Sequence, residues 1–217
     1  SREWAGKNAM TVIQEDEGAH PDTSRTKVVF RARVGAPAEC LNAEGRTVDL
    51  IIAGFDNSSD GDQETIRAAL YKTARPLLLL PRLPGAVLSA SGFPQTVVLA
   101  WDGSLSAARA MRDGLPFLLR APALSIFLAE EDGGYPAQRH EAEITSYLES
   151  HEVFAKCVHI PRDGEGVGAR LLEKSSGLGA GLLIMGGYGR GHLEEAVLGG
   201  ATRHVLQHSH LPLLLSH

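Results

Sequence analysis

The feature that most constrains this chain is an internal repeat. Asp49-Leu-Ile-Ile-Ala-Gly-Phe55 is matched 132 positions later by Gly181-Leu-Leu-Ile-Met-Gly-Gly187, and Arg75-Pro-Leu-Leu-Leu-Leu80 is matched 136 positions later by Leu211-Pro-Leu-Leu-Leu215. A looser pair sets Val28 to Val34 before Pro37 to Leu41 against Val153 to His159 before Gly168 to Leu172, each a strand followed by a helix. Blocks that recur in one order at a nearly constant offset mark a duplicated unit. We therefore expect a partial first unit over 1–82, a linker over 83–95 rich in Pro and Gly, and a complete second unit over 96–217.

The second unit alternates strands with helices, which predicts an α/β fold with a doubly wound, parallel, five-stranded sheet covered on both faces. Its strands are Thr96 to Trp101, Ala123 to Ala129, Phe154 to Ile160, Gly181 to Gly186 and Leu211 to Leu215, with helices near 105–119, 136–151, 166–176 and 200–208. In the first unit only the last three strands have counterparts, so residues 1–20 are expected to be its second helix, on the spacing of Trp4, Met10 and Ile13. The strands Leu77 to Leu80 and Leu211 to Leu215 end their units as apolar edges, a hazard removed if they pair with each other.

Composition excludes several classes of function. Lys and Arg number 21 against 26 Asp and Glu, a net charge of -5, so no basic field drives binding to nucleic acid or to an anionic membrane. The apolar runs fall far short of the roughly 20 residues of a membrane span. The first residues lack the apolar core of a secretion signal, and Cys40 and Cys157 form no Cys-x-x-Cys pair, so a reducing cytoplasm is the expected location.

In an open parallel sheet ligands bind outside the carboxyl ends of the strands, where strand order reverses. Two features of the second unit fall there. Asp102 follows its first strand directly, and Gly186-Gly-Tyr-Gly189 follows its fourth, nine residues before Gly199-Gly200-Ala201-Thr202 at the start of the last helix. Glycines let the backbone approach a ligand closely, and a helix start offers unpaired N–H groups at the positive end of its dipole, a natural phosphate site. A carboxylate at a neighbouring strand end suits a ribose hydroxyl. The same residues also admit a plain structural reading, in which the glycines allow a loop and close helix packing while Asp102, Gly103 and Ser104 cap the helix from 105.

At these residues the sequence resembles the universal stress protein family, whose signature is Gly-x-x-Gly, nine residues, then Gly and Ser or Thr. The chain has Gly186, Gly189 and Gly199 at that spacing and Asp102 at the end of the first strand, and the resemblance runs over 96–217. It implies an adenine-nucleotide α-hydrolase-like fold and binding of ATP or a related nucleotide, with or without Mg2+. Phosphates would fall on Gly189, Gly199, Gly200, Ala201 and Thr202, ribose near Asp102 and Gly186, and adenine on the backbone at Ala129. It further implies that the last strands of the two units meet antiparallel as an intramolecular pseudo-dimer, with a homodimer as a further possibility. The chain departs from the signature at Gly200, where a Ser or Thr is usual. Losing that charge-assisted hydrogen bond weakens phosphate binding by roughly 1.5–3 kcal/mol, unless Thr202 substitutes or Arg190 and Arg203 compensate by pairing with phosphate.

In the first unit Asn57 replaces the second glycine, and the loop Asp56 to Glu64 holds four carboxylates and no base, so no nucleotide is expected there. Asp56, Asp60, Gly61 and Asp62 match a calcium loop only in part, since its closing glutamate is Arg67. Gly164-Glu-Gly-Val-Gly-Ala169 fits a dinucleotide fingerprint without the acidic residue it needs. His204 and His208 stand one turn apart without a third metal ligand at suitable spacing, and no metal is expected. Nothing resembles a nucleophile elbow or a Walker lysine, so no catalytic residue is assigned. Three functions follow in order: an adenine-nucleotide-binding stress-response module, a scaffold of the same fold acting through dimerisation or partner binding, and a slow ATP hydrolase.

Overall fold

A computed structural model describes residues 11–13, 27–29, 33–56, 60–82, 94–129, 137–161, 166–187 and 200–217. Two compact units emerge, residues 1–36 and 37–217. In the first, β1 (Thr11–Ile13) and β2 (Lys27–Val29) pair parallel. A helix was expected across residues 1–20. At 11–13 the run Thr-Val-Ile is a strand instead, because adjacent β-branched side chains fit a pleated strand better than a helix.

The second unit contains α1 (Pro37–Glu44), β3 (Ile51–Phe55), α2 (Asp60–Thr73), β4 (Leu77–Pro81), β5 (Thr96–Trp101), α3 (Leu105–Leu118), β6 (Ala123–Ala129), α4 (Ala137–Glu149), β7 (Lys156–Ile160), α5 (Val167–Gly177), β8 (Leu182–Gly186), α6 (Gly200–His208) and β9 (Leu213–Ser216). Seven strands form one sheet in the order β3-β4-β9-β8-β5-β6-β7. The expected five-stranded parallel sheet is the β9-β8-β5-β6-β7 part of it. Two strands of the first repeat extend it: β3 and β4 pair parallel, and β4 pairs antiparallel with β9 through Leu77↔Leu215, Leu78↔Leu214 and Leu79↔Leu213. Leu79, Leu213, Leu214 and Leu215 are fully buried along this seam.

The helices take opposite faces of the sheet. Ile66 and Leu70 of α2, Leu171 of α5 and Val205 and Leu206 of α6 pack with Val98, Leu183, Leu213 and Leu215. Ala110, Met111 and Leu118 of α3 and Ile144 and Leu148 of α4 pack with Val97, Leu99, Ile184 and Leu214. Each strand thus sends alternate side chains to opposite cores, as the period of two requires. In α3 the buried residues Ala107, Ala110, Met111, Gly114 and Leu118 recur at three- and four-residue spacing, so one stripe of the helix meets the sheet. No helix among the described residues is long and apolar enough to cross a membrane.

Candidate functional site

Strand order reverses between β5 and β8, which are parallel neighbours. The helix after β5, α3, lies on one face, and the helix after β8, α6, on the other. The ends of these strands therefore mark the point of reversal at the carboxyl edge of the sheet, the place where doubly wound folds bind ligands.

Asp102 sits on the rim beside β5. Its Oδ1 accepts a hydrogen bond from the Ser104 N–H at 3.0 Å. Ser104 is the N-cap of α3, its Oγ accepting from the Ala107 N–H at 3.1 Å and lying 3.0 Å from Ser106 Oγ. The capping reading of Asp102, Gly103 and Ser104 is thus realised in the structure. Among the described residues it engages only one carboxylate oxygen of Asp102, leaving Oδ2 as an acceptor.

Gly186 ends β8 directly under the first turn of α3. A Cβ there would lie 2.7 Å from the Ala107 nitrogen, 2.7 Å from Ser106 Oγ and 2.8 Å from the Ser106 carbonyl carbon. Glycine is required at this position to seat the helix, whatever else binds nearby. Beyond it, the Gly187 N–H donates to the Ser216 carbonyl at 2.7 Å, and the Gly187 carbonyl accepts from His217 Nδ1 at 3.1 Å. The end of β8 is in this way tied to the end of β9.

Ala129, the last residue of β6, is half-buried at the same edge and pairs with Ile160. Gly200 opens α6, exposed, with none of the described residues within 4 Å of a Cβ built on it. Ala201 is half-buried and Thr202 buried. A Cβ on Gly168 would come within 2.8 Å of the Ala201 carbonyl oxygen and 2.8 Å of the His204 Cβ. The glycine of the partial dinucleotide fingerprint is therefore what lets α5 and α6 touch. Gly189, Arg190 and Gly199 lie outside the described residues. The structure accordingly brings Asp102, Ala129 and Gly186 to one edge, with the start of α6 entering from the opposite face to α3.

The corresponding end of β3 is built differently. Arg82 Nε would be 3.0 Å from a Cβ on Gly54, the repeat counterpart of Gly186, so an arginine side chain stands where the start of α3 stands in the second copy. Asp62 accepts the Asp56 N–H at 2.8 Å and lies 3.8 Å from Arg82. The acidic loop thus gains from outside its own sequence the base it lacks.

His204 and His208 stack at 4.2 Å, with His208 Nδ1 2.9 Å from the His204 carbonyl oxygen. Burial, then the neighbouring His208, lowers the His204 pKa. Among the described residues no group of three His, Cys, Asp or Glu is placed to hold a metal. Cys40 and Cys157 are free thiols, and burial pushes the Cys157 thiol up, away from the thiolate form. The sequence reading missed the part Ser106 plays beneath Gly186. Its signal was the pairing of a strand-end glycine with a short-chain residue in the first turn of the helix.

Strand order and helix placement define a doubly wound α/β protein with a candidate ligand site at the reversal of strand order. No family sequence model matches the chain, and no curated protein matches it by sequence. Among solved structures it is similar to a universal stress protein from Archaeoglobus fulgidus DSM 4304, with 16% identity, a TM-score of 0.68, and coverage of 88% of this chain and 71% of that one. It is also similar to a provisionally named universal stress protein from Pseudomonas aeruginosa UCBPP-PA14, with 14% identity, a TM-score of 0.55, and coverage of 98% and 84%. The chain has the universal stress protein fold.

Proposed function

We propose that the C-terminal repeat binds ATP or a related adenine nucleotide and that the protein is a nucleotide-dependent stress-response module. The observation that carries this reading is the reversal of strand order between β5 and β8, with Asp102 beside it engaging only Oδ1 among the described residues and α6 starting on the opposite face to α3. In this reading Asp102 Oδ2 accepts from a ribose hydroxyl, while Gly189, Gly199, Gly200 and the first amides of α6 hold phosphate, helped by Arg190. Adenine rests along the end of β6 at Ala129. Bound Mg2+ would neutralise phosphate charge, a help to a chain of net charge -5.

Isothermal titration with ATP tests the reading. The wild-type protein should bind ATP, and Asp102→Ala should weaken binding about ten- to a hundredfold through one lost hydrogen bond to a charged group. Absence of binding at millimolar ATP refutes it. A second reading, an assembly scaffold without nucleotide, is favoured by Ile52. This residue is 60% exposed on β3, whereas Ile184, its counterpart in the repeat, is fully buried. Excess absorbance at 260 nm in the purified protein favours the first reading over the second.

A further inference from the structure

The antiparallel seam carries part of the first repeat to the carboxyl edge of the second. β4 and β9 run in opposite directions with Leu77 level with Leu215, so the start of β4, and with it the end of α2, stands beside the end of β9. There two residues of α2 reach the last residues of the second repeat. The Tyr71 and His217 rings lie 4.3 Å apart, tilted by 59°. His217 Nδ1 lies 3.1 Å from the Gly187 carbonyl oxygen, and Leu70 Cδ1 would lie 3.3 Å from a Cβ on Gly187. A side chain at 187 would crowd Leu70, so glycine there lets the first repeat close on the end of β8.

A carbonyl oxygen only accepts, so Nδ1 carries the hydrogen of this bond whether the ring is neutral or protonated. The Gly187 N–H is taken by the Ser216 carbonyl at 2.7 Å. Both backbone polar groups of this buried glycine are thereby tied to the end of β9, and one of the two ties is a side chain flanked by Tyr71. Gly186 faces α3, where a Cβ on it would meet Ser106 and Ala107. Gly187 therefore faces the other side of the sheet, the side of Leu70 and of α6.

We infer that Tyr71 and His217 are positioning residues for the phosphate side of the site: Tyr71 of the first repeat holds the His217 ring, and His217 holds the Gly187 peptide from which the chain leaves β8. The inference rests on the adenine-nucleotide reading above. The phosphates rather than the nucleoside are affected because Gly187 lies on the face where α6 starts, whereas Asp102 braces the cap of α3 on the opposite face. The first repeat thus regulates the site of the second without touching the ligand.

Calorimetry on the full chain tests this. His217→Ala should weaken ATP binding by about three- to tenfold, the loss of one neutral hydrogen bond, and leave adenosine binding level. His217→Asn, whose side-chain amide nitrogen can take the place of Nδ1, should restore ATP affinity. Tyr71→Ala should weaken ATP binding in the wild-type background and add nothing in the His217→Ala background, because it acts through the same ring. ATP binding equally tight in His217→Ala overturns this inference and leaves the nucleotide reading standing. An equal loss for adenosine overturns the placement on the phosphate side, and failure of His217→Asn to restore affinity overturns the hydrogen bond as the cause. No ATP binding by the wild-type protein overturns both readings.

Discussion

Gly200→Ser is the substitution whose outcome the structure specifies most fully. The residue is exposed at the first position of α6, and a Cβ built on it meets none of the described residues within 4 Å, so the side chain displaces none of them. Serine in place of glycine also suits a helix start, lowering the entropy lost on folding by about 0.5 kcal/mol. If phosphate rests on this helix start, the new hydroxyl adds one charge-assisted hydrogen bond of about 1.5–3 kcal/mol. ATP binding should then tighten about ten- to a hundredfold. Calorimetric titration with ATP and with adenosine, at one ionic strength and with Mg2+ held constant, reads this directly. ATP affinity should rise and adenosine affinity should stay level. A variant that melts higher but binds ATP no more tightly refutes phosphate placement at α6, and an equal gain for adenosine refutes the division between nucleoside and phosphate ends of the site.

Gly186→Ala should lower the free energy of unfolding by about 1–3 kcal/mol in urea denaturation, because the methyl group meets backbone atoms of α3; an unchanged midpoint would show that the helix start has room to move. Leu79→Ala, at a fully buried position on the seam between β4 and β9, should cost about 2–5 kcal/mol and test whether the two repeats unfold together. A lone early transition reporting β3 and β4 would contradict their membership of one sheet. Because the folded-state His204 pKa lies below its unfolded value, its neutral form is favoured by the fold. Stability is therefore fully present above the unfolded value near 6.5 and is lost as pH falls through the lower folded value. His204→Gln should remove that part of the acid sensitivity in melting curves taken between about pH 8 and about pH 5. Identical pH profiles for the two proteins would contradict it.

Much of the fold is legible in the repeat and in the apolar runs. β5 and β6 coincide with their expected spans, since both are continuous apolar strands closed by clear turn residues. β7 and β8 begin later than read, at Lys156 and Leu182. The union of β3 and β4 with the second repeat is a tertiary event. Its trace in the sequence is two leucine-rich runs that could not both remain edges. The site is less legible. Asp102 and Gly186 were found by position, but each carries a structural duty first, Asp102 in bracing the α3 cap and Gly186 in seating its first turn. No pattern in the sequence separates such a duty from ligand binding.

A crystal structure of the protein grown with ATP is the most direct test. The account predicts nucleotide density at the ends of β5 and β8, with ribose within hydrogen-bonding distance of Asp102 and phosphates at the start of α6. Density elsewhere, or a site that stays free of nucleotide at saturating ATP, would contradict it.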